Sequence, residues 1–231
     1  MIFKNIFKKE NLILKEIIRK DDLVFDVGAN TGNKSYEFLK HETRVIGFEP
    51  QPLCAKYCRK RFANNSNFML EEIGLDSVEG GSIIYESRAS GLSSMSTEFI
   101  NTVKKERFRK YTWENKITIK VDTLDNMIKK HGKPHFIKID VEGYEYNVLK
   151  GLTIPIDIIS IEYTPELVNN TLACIDYLES LNKNIIFNYG FRENTFFKYQ
   201  KWISRNEIVS YLKSVKDYKF EFGDVYIKNN N

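Results

Sequence analysis

Lys138, Asp140 and Glu142 fall at alternate positions in FIKIDVEG, an otherwise apolar run suited to a buried strand. Alternate residues of a strand share a face, so Lys138 and Asp140 point to the same side. An ammonium buried without a partner is prohibitive, so Lys138 must be paired or lie beside a wet cavity. Asp140 ends the run and Glu142 follows in the turn, where an acid can take a proton from a reacting group or orient it. Lys138 can hold such carboxylates in place or lower the pKa of a hydroxyl. Glu162, at the end of DIISIEY, is a further acid of this kind. Several such oxygens can gather a divalent ion, but nothing in their spacing fixes metal ligation and no metal is assigned.

A second group of residues sits nearer the start. LVFDVGANTG (23–32) reads as an apolar strand that carries Asp26 near its end and turns through Gly28, Ala29, Asn30 and Gly32 into NKSYEFLK. VIGFEP (45–50) reads as the next strand, ending at Glu49 and Pro50. Ligands of open parallel sheets bind at the carboxyl ends of strands, and glycine lets the backbone approach them closely. An acid at the end of the second strand can accept hydrogen bonds from both ribose hydroxyls. The loop lacks the G-x-G-x-x-G of nicotinamide enzymes, since Asn30 stands where a middle glycine would be. Asp26 would repel a diphosphate but suits a cationic ligand. S-adenosylmethionine, with a sulfonium, an ammonium and no phosphate, is therefore the favoured cofactor. Asp26 and the 28–32 loop are expected at its methionine moiety, Glu49 at its ribose, and Ile73 and Gly74 near its adenine.

The elements that must position these residues alternate between strand and helix patterns, which argues for a parallel sheet with right-handed crossovers. Strands are expected at about 23–28, 44–49, 67–73, 117–121, 135–140, 157–163, 184–189 and 219–228, the last bending at Gly223. Helices are expected near 32–40, 52–63, 123–131, 144–150 and 166–181. Ile2, Phe3, Ile6 and Phe7, then Ile13, Ile17 and Ile18, recur at helical spacing and predict a first helix packed on the sheet. Residues 76–116 interrupt the alternation with GGSIIYES, then SRASGLSSMS, then a basic helix candidate in which five of the seven residues of KKERFRK (104–110) are cationic. A solvated helix face is the favoured reading of that segment; a cap that attracts an anionic acceptor is the functional one. Ser93 and Ser94 are candidate hydrogen-bond donors to substrate.

At 231 residues and 42% hydrophobic content the chain can bury one core, so a single domain over 1–231 is expected, with a cap-like insertion at about 76–116. The net charge of +4 says nothing about nucleic acid. Three cysteines without zinc spacing (Cys54, Cys58 and Cys174) fit packed thiols in a reducing cytoplasmic setting. No run approaches a membrane span. All five prolines are isolated, so neither the D/N-P-P-Y/F motif of amino-methyltransferases nor the Pro-Cys pair of cytosine C5 chemistry occurs.

FDVGANTG (25–32), VIGFEPQP (45–52), SGLSS (90–94), DTLDNM (122–127), FIKIDVEGYEYNVLKG (136–151) and IEY (161–163) together resemble the FkbM-type family of class I, S-adenosylmethionine-dependent methyltransferases. The motifs occur in the family's order, and KIDVEG is the most specific. The resemblance implies an α/β, three-layer Rossmann-like fold with a seven-stranded, mostly parallel sheet and an antiparallel last strand. It implies O-methylation of a small molecule, with a sugar hydroxyl in a glycan or glycolipid pathway as the leading acceptor; only the basic 104–110 segment points to an anionic saccharide. An RNA ribose 2′-O-methyltransferase and a non-catalytic cofactor-binding module are the alternatives; DNA is not expected as a partner, and RNA is the less favoured one.

Overall fold

Strands rich in Val, Ile and Phe on both faces need cover on both sides, and the chain supplies it by alternating them with helices. The computed structural model describes residues 11–192, 194–216 and 221–230. In chain order the strands are β1 (Leu23–Val27), β2 (Arg44–Phe48), β3 (Phe68–Glu71), β4 (Gly74–Leu75), β5 (Gly80–Glu86), β6 (Asn115–Asp122), β7 (Phe136–Ile139), β8 (Ile158–Tyr163), β9 (Ile185–Phe191) and β10 (Gly223–Asn229). The helices are α1 (Leu12–Ile17), α2 (Asn33–Leu39), α3 (Pro52–Arg61), α4 (Thr97–Val103), α5 (Leu124–His131), α6 (Glu145–Lys150), α7 (Val168–Leu181) and α8 (Arg205–Ser214).

The main sheet has seven strands in the order β3-β2-β1-β7-β8-β10-β9, with β10 antiparallel to both neighbours. This is the class I methyltransferase fold. On one face α1 and α2 pack Ile13, Leu14, Ile17 and Phe38 against Val24, Val45, Phe136, Ile158 and Tyr226. On the other, Val148 and Leu149 of α6, Ile175 of α7 and Ile208 of α8 cover Phe25, Val27, Ile137, Ile139 and Ile161. Each such apolar side chain contributes about 1.5–3 kcal/mol on burial. Caps fix where several helices start: Asn11, Ser96 and Thr123 accept from the amides of Leu14, Phe99 and Asn126, and Ser204 with Glu207 forms a capping box.

Four sequence expectations meet a different or narrower outcome. The 117–121 strand is part of β6, which lies not in the main sheet but between β4 and β5 in a separate three-stranded sheet. Its pattern explains this, because Ile117, Ile119 and Val121 alternate with Thr118 and Lys120, as suits a strand with one buried face. The basic stretch 104–110 forms turns after α4 rather than a helix, where like charges one turn apart would have repelled each other. Ile13, Ile17 and Ile18 are buried under α1, whereas Ile2, Phe3, Ile6 and Phe7 lie outside the described residues. The final strand is described from Gly223 onward, and α8 was not anticipated at all.

Candidate functional site

β1 and β7 are hydrogen-bonded neighbours at the sheet centre, with Asp26 in register with Lys138. Their carboxyl ends therefore meet, and the meeting is tight: a Cβ on Gly28 would lie 1.9 Å from the Asp140 carbonyl oxygen. Gly28 also has φ +85°, a conformation only glycine adopts freely. Above this junction lies a cavity whose lining includes Gly28, Asn30, Glu49, Pro50, Ile73 and Gly74 together with Ser93, Ser94, Asp140, Glu142, Tyr144 and Glu162.

Glu49 is held by the backbone. One carboxylate oxygen accepts from the Asn30 amide at 2.7 Å and the other from the Gln51 amide at 2.8 Å. Burial outweighs these donors and pushes its pKa up to about 7. Asn30 takes φ +51°, which asparagine tolerates better than most residues, and its side-chain oxygen accepts from Ser90 at 3.2 Å. Gly32 is the left-handed residue at the start of α2 and faces Phe62 and Cys58 rather than the cavity. Ala29 is buried.

Beneath the cavity floor the polar residues form an ion network. The Lys138 ammonium donates to Asp140 at 2.5 Å. Burial alone would lower its pKa, but Asp140, Asp224 and Asp26 together keep it protonated, above the ordinary lysine value. Asp26 accepts from Ser35 at 2.5 Å, is raised by burial against the pull of Lys138, and is not among the cavity-lining residues. Lys138 does not line it either.

Asp140, Glu142 and Glu162 each place a carboxylate oxygen within 4.8 Å of the others. Burial, then the neighbouring acids, raise Glu142 and Glu162 well above the usual carboxyl range. Glu162 Oε2 is buried and without a hydrogen-bond partner. Glu142 has φ +54° and Gly143 φ +84°, a turn stored at some energetic cost for the non-glycine residue. Two supports hold it: Glu145 accepts from the Val141 and Gly143 amides at 3.2 and 3.0 Å, and Ser94 Oγ donates to the Glu142 carbonyl at 2.7 Å. Ser93 Oγ accepts from the Ser87 amide at 3.1 Å. The two serines thus serve the protein's own loops as well as lining the cavity.

Sequence reasoning missed Glu145, whose pKa burial pushes to about 7, and Tyr144, whose hydroxyl donates to Asp76 at 2.9 Å. The repeated acid in DVEGYE was the available signal for Glu145; nothing local pairs Tyr144 with a residue so far back in the chain. The basic stretch also has an internal member. Arg107 Nε lies 3.3 Å from Glu166, with side-chain exposures of 14% and 2%, while Lys104, Lys105, Arg109 and Lys110 are exposed. None of residues 104–110 lines the cavity.

The sequence profile of the methyltransferase FkbM domain matches residues 26–222. The hexuronic acid methyltransferase AglP of Haloferax volcanii is 30% identical over 148 residues, which cover 61% of this chain and 54% of that protein. The chain thus matches about half the length of that relative. Methyltransferase sdnD of Sordaria araneosa is 27% identical over 176 residues, covering 65% of this chain and 68% of that one. Among solved structures, a precorrin-6Y C5,15-methyltransferase from Geobacter metallireducens superposes with TM-score 0.49 at 10% identity, over 94% of this chain and 85% of that chain. An rRNA methylase from Streptococcus thermophilus does so with TM-score 0.46 at 12% identity, over 94% and 92%.

Proposed function

Because the chain belongs to the FkbM methyltransferase family, we propose that it transfers a methyl group from S-adenosylmethionine to a hydroxyl of a small molecule, with a sugar as the leading acceptor. One observation carries the choice of cofactor. The cavity wall holds four carboxyl side chains, Glu49, Asp140, Glu142 and Glu162, and no Lys, Arg or His among the described residues. Such a wall suits a sulfonium and an ammonium and offers nothing to neutralise the diphosphate of a nicotinamide dinucleotide. The residues present fit the group: Gly28 leaves room for close approach, and Glu49 keeps acceptor capacity for ribose hydroxyls. Ile73 and Gly74 supply an apolar edge for the adenine. The relative named for hexuronic acid methylation supports a sugar acceptor.

Bound there, S-adenosylmethionine would supply an electrophilic methyl carbon, with a neutral thioether as the leaving group. The chain's residues must orient the acceptor oxygen in line and accept its proton. Asp140, fixed by Lys138, is placed as the base; Glu142 and Glu162 hold the acceptor beside it. Alignment provides much of the barrier reduction, and the base adds a further factor of roughly 10²–10⁴. In this reading the 76–116 segment is a cap, with its serine loop over the site.

Calorimetry should show S-adenosylhomocysteine binding at about micromolar strength and no NADH binding. Tight NADH binding without a response to S-adenosylhomocysteine would sink the cofactor assignment. A screen of sugars, nucleotide sugars and short RNAs with labelled cofactor should label a sugar; label on RNA alone would move the acceptor to a ribose hydroxyl.

A further inference from the structure

We propose that the acceptor enters this cavity as an uncharged polyol: the ring to be methylated presents adjacent hydroxyls to Asp140, Glu142 and Glu162 and carries no carboxylate or phosphate of its own. This rests on the methyltransferase reading and names the substrate class within it.

The first argument is counter-charge. Two cations near the acceptor wall are already committed to acids. Lys138 donates to Asp140 at 2.5 Å and Arg107 lies 3.3 Å from Glu166, and neither lines the cavity. The exposed bases of 104–110 lie outside the lining as well. A sugar carboxylate would meet three carboxyl groups and, among the described residues, no lining cation to balance its charge, which disfavours its binding.

The second argument is donor count. Ionised carboxylates and phosphates can only accept hydrogen bonds, whereas hydroxyls donate as well. Three of the wall's hydroxyls are turned inward: Ser94 donates to the Glu142 carbonyl, Ser90 to Asn30, and Tyr144 to Asp76, while Ser93 Oγ accepts from the Ser87 amide and keeps its own proton. What remains facing the acceptor is a surplus of carboxyl oxygens within 4.8 Å of one another, a spacing that neighbouring ring hydroxyls can bridge with ordinary hydrogen bonds. Glu162 lines the cavity, and its Oε2 is buried and unpartnered in the protein. Burial favours the neutral form of Glu142 and Glu162. A neutral carboxyl still pairs well with a hydroxyl and still provides no positive charge.

The test uses the full chain loaded with S-adenosylhomocysteine, in EDTA. Binding is measured by ligand-observed NMR for a panel of methyl hexopyranosides, their matching methyl hexopyranosiduronates and the corresponding 6-phosphates. At least one neutral glycoside should bind about tenfold or more tightly than its uronate and phosphate partners. Equal or tighter binding of the charged partner overturns the proposal. So does uronate binding that appears only when magnesium replaces EDTA, which would make the three acids a bridging-cation site instead. If S-adenosylhomocysteine binds and no sugar does, the polyol assignment fails while the methyltransferase reading stands; if S-adenosylhomocysteine itself does not bind, that reading fails first. Glu162→Gln, nearly isosteric, should narrow the neutral-to-uronate gap at least about threefold, and an unchanged gap in a folded variant would count against the charge argument.

Discussion

The two halves of the cavity are built differently. On the proposed cofactor side, Glu49 is fixed by two backbone amides, one in the preceding loop and one two residues along. On the proposed acceptor side the carboxyls come from two strand ends and a strained turn, are braced by Ser94 from a distant loop, and leave Glu162 Oε2 without a partner. Amide donors closing a short loop make a site rigid and general to one ligand. Side chains converging from remote segments make a site adjustable, which suits the half that must recognise a particular acceptor.

The sharpest way to break this contrast is Asp140→Asn. Transfer to the best acceptor should fall about 10²–10⁴-fold, and S-adenosylhomocysteine affinity should change far less; thermal melting controls for the partner Lys138 loses. Unchanged turnover would pass the base role to Glu142. Next in size is Gly28→Ala, which forces a Cβ to 1.9 Å from the Asp140 carbonyl at φ +85°. Urea denaturation should show a loss of about 3 kcal/mol or more, and wild-type stability would mean that the junction between the two halves is not tight.

Glu49→Ala tests the cofactor half alone. It should weaken S-adenosylhomocysteine by roughly 1.5–3 kcal/mol, the scale for hydrogen bonds to a charged group. Because Glu49 is pushed up to about 7, affinity for a ligand that donates to its carboxylate should rise with pH through neutrality, with proton release seen as a buffer-dependent heat. The ligand-free protein should respond oppositely. Glu49 and Glu145 have folded pKa values of about 7 against ordinary values of 4.5. Their contribution to stability is full below 4.5 and is lost as pH rises through 7, so melting temperature should decline across that window unless other groups dominate, and Glu49→Gln should flatten the decline. The smallest effect belongs to Ser94→Ala. It removes two hydrogen bonds, one from Ser94 Oγ to the Glu142 carbonyl and one from the Ser96 amide to Ser94 Oγ, costs about 1–2 kcal/mol of stability, and should raise the acceptor KM more than the cofactor KM.

Short-range chemistry was legible in the sequence. The sharp turn at Gly28, the acid Glu49 at the end of β2 and the need for Lys138 to be paired all follow from residue types a few positions apart, because strand alternation and turn geometry act over those distances. The central strands were legible too, since apolar residues on both faces have few other places to go. Tertiary structure alone decided the rest. β6 left the main sheet because one of its faces is polar, yet only packing chose β4 and β5 as its partners. Asp26 and Lys138 share a register that places them below the cavity, a consequence of how β1 and β7 pair. The Ser94–Glu142, Tyr144–Asp76 and Arg107–Glu166 contacts join residues far apart in the chain, and no local rule selects such partners. The sequence by itself determined the glycine turn after β1 and the acid after β2, the features on which the proposed cofactor site rests. Folding decided which carboxyls line the cavity and which cations are paired away from it, because charge compensation depends on distances that exist only once the strands have paired.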